Sequence, residues 1–118
     1  LGFLVHKNVS SWFNPERKGF PMAKDTEILA PMREKIDALD AQIVDLLVKR
    51  LALVREVAKL KSKHGLPAVI EERIREVIDR AGDLAGEEDE DFVREIYALI
   101  IVIACDLEEE VMGIKKDK

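Results

Sequence analysis

Three charged side chains interrupt the apolar stripes of this 118-residue chain, and they are the residues best placed to do chemistry. Ile36, Ile43 and Val57 mark a seven-residue repeat, the return of one helical face, and the place between Ile43 and Val57 is taken by Arg50. An arginine in an apolar seam is costly unless an anion meets it. Lys61 follows eleven residues later. At about 100° per residue it looks out from nearly the same face, roughly 16 Å along the axis. Glu108 has Ile101, Ala104, Cys105, Val111 and Met112 as helical neighbours, so it is an acid on an apolar stripe. Burial there disfavours a carboxylate charge unless a cation lies close.

Each of the three alone admits a plainer reading. Arg50 could pair with a core glutamate, Lys61 could snorkel to solvent, and Glu108 could reach water at a helix end. Together they outline a buried, cationic pocket suited to a small dianionic ligand. Guanidinium grips carboxylate through two parallel hydrogen bonds, and lysine adds a movable point charge. No nucleophile set, metal set or glycine-rich phosphate loop accompanies them. The expected chemistry uses none of these, and no cofactor or metal is called for.

Composition narrows the field further. One cysteine, Cys105, and two distant histidines, His6 and His64, make neither an internal disulfide nor a zinc site of usual spacing. No apolar run reaches the roughly 18 residues of a membrane span, and the first five residues are too short for a signal-peptide core. A formal net charge of −5 argues against a nucleic-acid partner. A cytoplasmic protein is expected, with neither membrane nor nucleic acid as partner. Residues 1–21 differ from the rest: they hold two prolines, two glycines and four of the six aromatics, without periodicity. They are expected to be an N-terminal leader, or else an arm docking its aromatics on the body, ahead of a helical domain over 22–118.

The elements that position the charged residues follow from the breakers. Between Pro31 and Gly65 the apolar pattern predicts a helix over about 32–63, with Pro31 in its first turn, acids early and lysines late. A second helix is expected over about 70–82, with Gly82 and Gly86 framing the loop behind it. A third is expected over about 90–112, opened by acidic residues and stopped by Gly113. The stretch 96–105 is apolar all round except for the Tyr97 hydroxyl and needs cover on every side. A 32-residue helix is roughly 48 Å long, against a diameter of roughly 35 Å for a compact chain of this size. Its apolar stripe runs nearly end to end, so an all-α homodimer with paired long helices is expected.

The motifs Met32-Arg-Glu-Lys-Ile-Asp-Ala-Leu-Asp40, Leu46-Leu-Val-Lys-Arg50 and Val57-Ala-Lys-Leu-Lys61 resemble the first helix of the all-α chorismate mutases. Glu72-Arg73 after Pro67 resembles the start of that family's second helix, and the likeness covers about residues 30–112. The resemblance implies an intertwined three-helix homodimer that converts chorismate to prephenate, in aromatic amino-acid biosynthesis, without covalent catalysis. It implies that Arg50 clamps one substrate carboxylate, and that Arg33, reaching in from the partner subunit, clamps the other. Arg73 would flank the site, and Lys61 and Glu108 would contact the ether oxygen.

Four positions depart from the family pattern. Ile70 and Ile74 stand where many members carry acids, Ala104 replaces a small polar residue, and Glu108 stands where most carry glutamine. Those departures are similar to 4-amino-4-deoxychorismate mutases and isochorismate-pyruvate lyases, which remain alternatives to the chorismate mutase reading. A non-catalytic helical dimerisation module is the remaining one. Such a module has no reason to bury Arg50, Lys61 and Glu108 together.

Overall fold

The computed structural model describes residues 22–114, with side chains from residue 27 onward. The expectations for residues 1–21 lie outside the described residues. Three helices follow in order: α1 Met22–Lys63, α2 Glu71–Ala85 and α3 Glu90–Val111. No strand occurs among the described residues, so the all-α expectation holds. None of the helices is long and apolar enough to cross a membrane.

Two boundaries correct the sequence reading. Helix α1 already runs at Met22, ten positions before the predicted start, and carries Pro31 in its interior. Proline forfeits one intrahelical donor and crowds the carbonyl four residues back, a disruption of about 3 kcal/mol. The good helix formers on both sides, Glu27 to Ala30 and Met32 to Lys35, carry the helix through it. Gly82 is the second case. It does not frame a loop but lies buried inside α2, which continues to Ala85.

The chain divides into two compact units, one ending at Lys49 and the other beginning at Arg50. In the first, every described side chain is exposed except the half-buried Ala30 and Leu47. The apolar stripe is present but bare: Met32, Ile36, Leu39 and Ile43 are between 52% and 58% exposed.

The second unit comprises the end of α1 with α2 and α3. Its buried residues are mostly small: Ala58, Ala68, Val77, Ala81, Ile101 and Ala104, with Glu108 as the buried charge. The end of α1 is closed by Leu66 N–H donating to the Lys61 carbonyl at 2.8 Å, across Gly65 at φ +68°. That left-handed residue suits glycine and turns the chain toward α2 as the sequence predicts. Helix α3 ends in the same manner, with Ile114 N–H on the Glu109 carbonyl at 2.9 Å and Gly113 at φ +75°. The apolar middle of α3 is covered in part, since Val102 and Ile103 remain exposed.

Gly82 leaves room on α2 for a side chain of α3. A Cβ built there stands 2.8 Å from Arg94 Cγ and closer still to the guanidinium. Arg94 lies across the glycine and pairs with Asp83 at 3.3 Å, Glu90 at 3.5 Å and Asp91 at 3.7 Å. Gly82→Val is expected to expel Arg94 and destabilise the fold by about 1–3 kcal/mol, the usual cost of overpacking. Urea unfolding followed by helical circular dichroism measures it, and a midpoint equal to wild type would contradict this account of the α2–α3 contact.

Candidate functional site

A cavity of about 330 Å³ opens within the second unit, and the helical periods explain its lining. From α1, Arg50, Val54, Val57 and Lys61 recur at intervals of four, three and four residues, so they share one face. From α2 and the residue before it come Ile70, Arg73, Ile74 and Val77. From α3 come Ile101, Ala104, Cys105 and Glu108. Seven of the eight residues singled out in the sequence (Arg50, Lys61, Ile70, Arg73, Ile74, Ala104 and Glu108) therefore line one cavity. Arg33 does not: it is exposed on the first unit.

Lys61 and Glu108 face each other across this cavity. Lys61 Nζ stands 2.6 Å from Glu108 Oε1, with side chains 14% and 10% exposed. The two meet as charges, without the alignment of a hydrogen bond, and Oε1 has no hydrogen-bond donor among the described residues. The same ammonium donates to the Ala68 carbonyl at 2.7 Å. Lys61 is thus held inside rather than snorkelling, and Glu108 is buried rather than at a solvated helix end.

Arg50 is held differently. Its guanidinium carbon lies 5.9 Å from the centroid of the Tyr97 ring, a cation–π contact. No carboxylate among the described residues pairs with it, so a core glutamate is not its partner there. An arginine fork held by its face keeps its N–H edge available for a planar anion. Arg73, at the rim, pairs with Glu76 on the next turn.

Two contributors escape the sequence reading. The Ala68 carbonyl is a backbone group and leaves no trace in residue type. Tyr97 was visible as the lone hydroxyl in an apolar run, but nothing in the spacing tied it to Arg50. Cys105 sits one turn before Glu108, and its thiol pKa is pushed up, first by burial and then by the Glu108 charge, against the pull of Lys61. A thiol kept protonated in this way is a poor nucleophile. The cavity therefore offers fixed cations and an aliphatic wall, which suits a reaction that takes place wholly within a held anion.

Three helices in this order, with cations from α1 and an acid from α3 on one cavity, define an all-α chorismate mutase-like domain. The chorismate mutase type II family matches residues 32–109, and the chain belongs to it. Every residue lining the cavity falls inside that match. The chain is 36% identical over 87 residues to a 4-amino-4-deoxychorismate mutase of Streptomyces venezuelae, covering 72% of this chain and 84% of that protein. It is 35% identical over 77 residues to a chorismate mutase of Methanocaldococcus jannaschii, covering 64% of this chain and 78% of that protein. A 4-amino-4-deoxychorismate mutase of Streptomyces pristinaespiralis is 32% identical over 90 residues, covering 75% and 70% respectively. No solved structure matches the chain significantly.

The buried pair predicts an asymmetry between single and double variants. Lys61→Met leaves the Glu108 charge buried and unpaired, and is expected to lower unfolding free energy by about 3 kcal/mol or more. Lys61→Met combined with Glu108→Met removes both charges and is expected to recover most of that loss. Urea denaturation at matched protein concentration reads both, and a single variant as stable as the double would show that the pair is not buried together.

Proposed function

We propose that the cavity holds chorismate and that the protein rearranges it to prephenate. In that reaction the ether carbon–oxygen bond breaks as a new carbon–carbon bond forms within the same molecule. No atom leaves, and no nucleophile or metal is needed. The observation that carries the reading is the joint presence on one cavity of Arg50, without an anionic partner among the described residues, and the buried Lys61–Glu108 pair. Arg50 grips a substrate carboxylate. The Lys61 ammonium meets the ether oxygen, where negative charge develops as the bond breaks, and preorganised positive charge there stabilises the transition state more than the ground state. Glu108 serves the same oxygen only as a hydrogen-bond donor, with a proton on its carboxyl group. Arg73 flanks the bound substrate, and the aliphatic walls favour its compact conformer.

The reading includes a homodimer. The bare stripe Met32, Ile36, Leu39 and Ile43 needs a cover, and a second copy of α1 supplies one of matching period. Arg33 then enters the partner's cavity and takes the second carboxylate. A cytoplasmic location goes with this assignment.

A second reading concerns the substrate. Ile70 and Ile74 present hydrocarbon to the cavity, with Ile74 directly after Arg73, and so give no acceptor to a hydroxyl at that side of the ring. Two of the relatives compared act, by their names, on 4-amino-4-deoxychorismate. Purified protein given chorismate, 4-amino-4-deoxychorismate and isochorismate separately, with each product identified, decides among them. Prephenate from chorismate is expected. Faster turnover of the amino compound selects the second reading, and pyruvate release from isochorismate would favour a lyase instead.

Arg50→Ala is expected to lower kcat/KM by about a thousandfold, as for removal of a substrate-anchoring charge. Helical content and solution mass should stay those of wild type. Retention of most activity would remove Arg50 from the site. Glu108→Gln preserves the side chain's size and offers an amide donor to the ether oxygen, so turnover is expected to survive, whereas Glu108→Leu should lose it. Equal activities in the two variants would mean that Glu108 does not act at that oxygen.

A further inference from the structure

A second cavity, of about 260 Å³, lies on the same unit and is lined by Arg50, Arg73, Val77, Arg80, Leu84 and Tyr97. It shares Arg50, Arg73 and Val77 with the first and adds Arg80, which lines only the second. Arg73 and Arg80 are seven residues apart on α2, about two turns, so they project from one face roughly 10 Å apart along the axis. Arg73 is paired with Glu76, but neither Arg50 nor Arg80 meets a carboxylate among the described residues. Three guanidinium groups thus ring one cavity, two of them without a counter-ion there. The chain as a whole carries a formal charge of −5. A dianion is repelled by such a molecule at large and is drawn in only where the local field is reversed.

We propose that this second cavity is an anion-capture vestibule for small dicarboxylates, in which Arg80 holds a carboxylate of the incoming ligand. Arg50 and Arg73, common to both cavities, take the anion over from there, so capture and seating share two of three arginines. Arg80 acts before the reaction and not on the reacting atoms. The proposal rests on the chorismate reading for the identity of the ligand. The capture chemistry itself answers to any small anion, inorganic phosphate included.

The test uses the protein as purified, with Arg80→Gln and Arg80→Lys beside wild type. At low salt Arg80→Gln is expected to raise KM for chorismate roughly fivefold with kcat within about twofold, and Arg80→Lys to restore most of the loss. The gap between wild type and Arg80→Gln should close as KCl rises, because salt screens an exposed charge. An unchanged KM, or a loss that salt does not alter and lysine does not restore, overturns the proposal. A second readout needs no turnover: inorganic phosphate should shift the guanidinium NMR signal of Arg80 in wild type. If that signal moves but chorismate is not turned over, the proposed reaction fails and capture stands. If chorismate is turned over while the Arg80 signal stays still, capture fails alone.

Discussion

One ammonium group meets all three parts of the second unit. Lys61 Nζ belongs to the last turn of α1, donates to a carbonyl in the segment leading to α2, and faces a buried carboxylate on α3. The buried residues of this unit are largely alanines, and no large side chain is fully buried. Small residues bring backbones close but bury little apolar area per residue. The charge is held by the Ala68 carbonyl and the Glu108 carboxylate rather than by a wall of large side chains. A charge so held cannot relax toward water when a ligand arrives, and electrostatic preorganisation requires this.

Arg50 and Lys61, two of the three cations on the first cavity, are prepared in opposite ways. Lys61 is neutralised in place by Glu108, which keeps a buried charge tolerable. Arg50 has only the face of Tyr97, so its hydrogen-bonding edge has nothing to give up on binding a carboxylate. The arrangement grades the site from a strongly held charge at one end to a readily committed one at the other. Between them, Val54, Val57, Val77 and Ile101 supply shape without competing polarity.

Much of this was legible because charge violated a period. Arg50, Lys61 and Glu108 each occupy an aliphatic place in a helical repeat, and such violations survive any uncertainty about helix ends. The ends themselves were less legible. Pro31 suits a first turn, where a lone proline usually stands, but the helix-forming run before it outweighs that preference. Gly82 was read as a breaker because nothing in the sequence says that Arg94, twelve residues later, needs its missing side chain. The part expected of Arg33 rests on family resemblance alone, and on a single chain the residue faces solvent. The Ala68 carbonyl was beyond reach, since a main-chain oxygen has the same symbol in every residue.

The bare stripe on the first half of α1 has a thermodynamic corollary. If a second copy covers it, folding and association form one equilibrium, and stability is no longer a property of the chain but of its concentration. Each tenfold dilution then removes about 1.4 kcal/mol from the folded dimer. Arg33 departs with the partner, so the same dilution withdraws an arginine from the cavity that remains. The four aliphatic residues from Met32 to Ile43 would in that case make specific activity a function of how much protein a cell keeps.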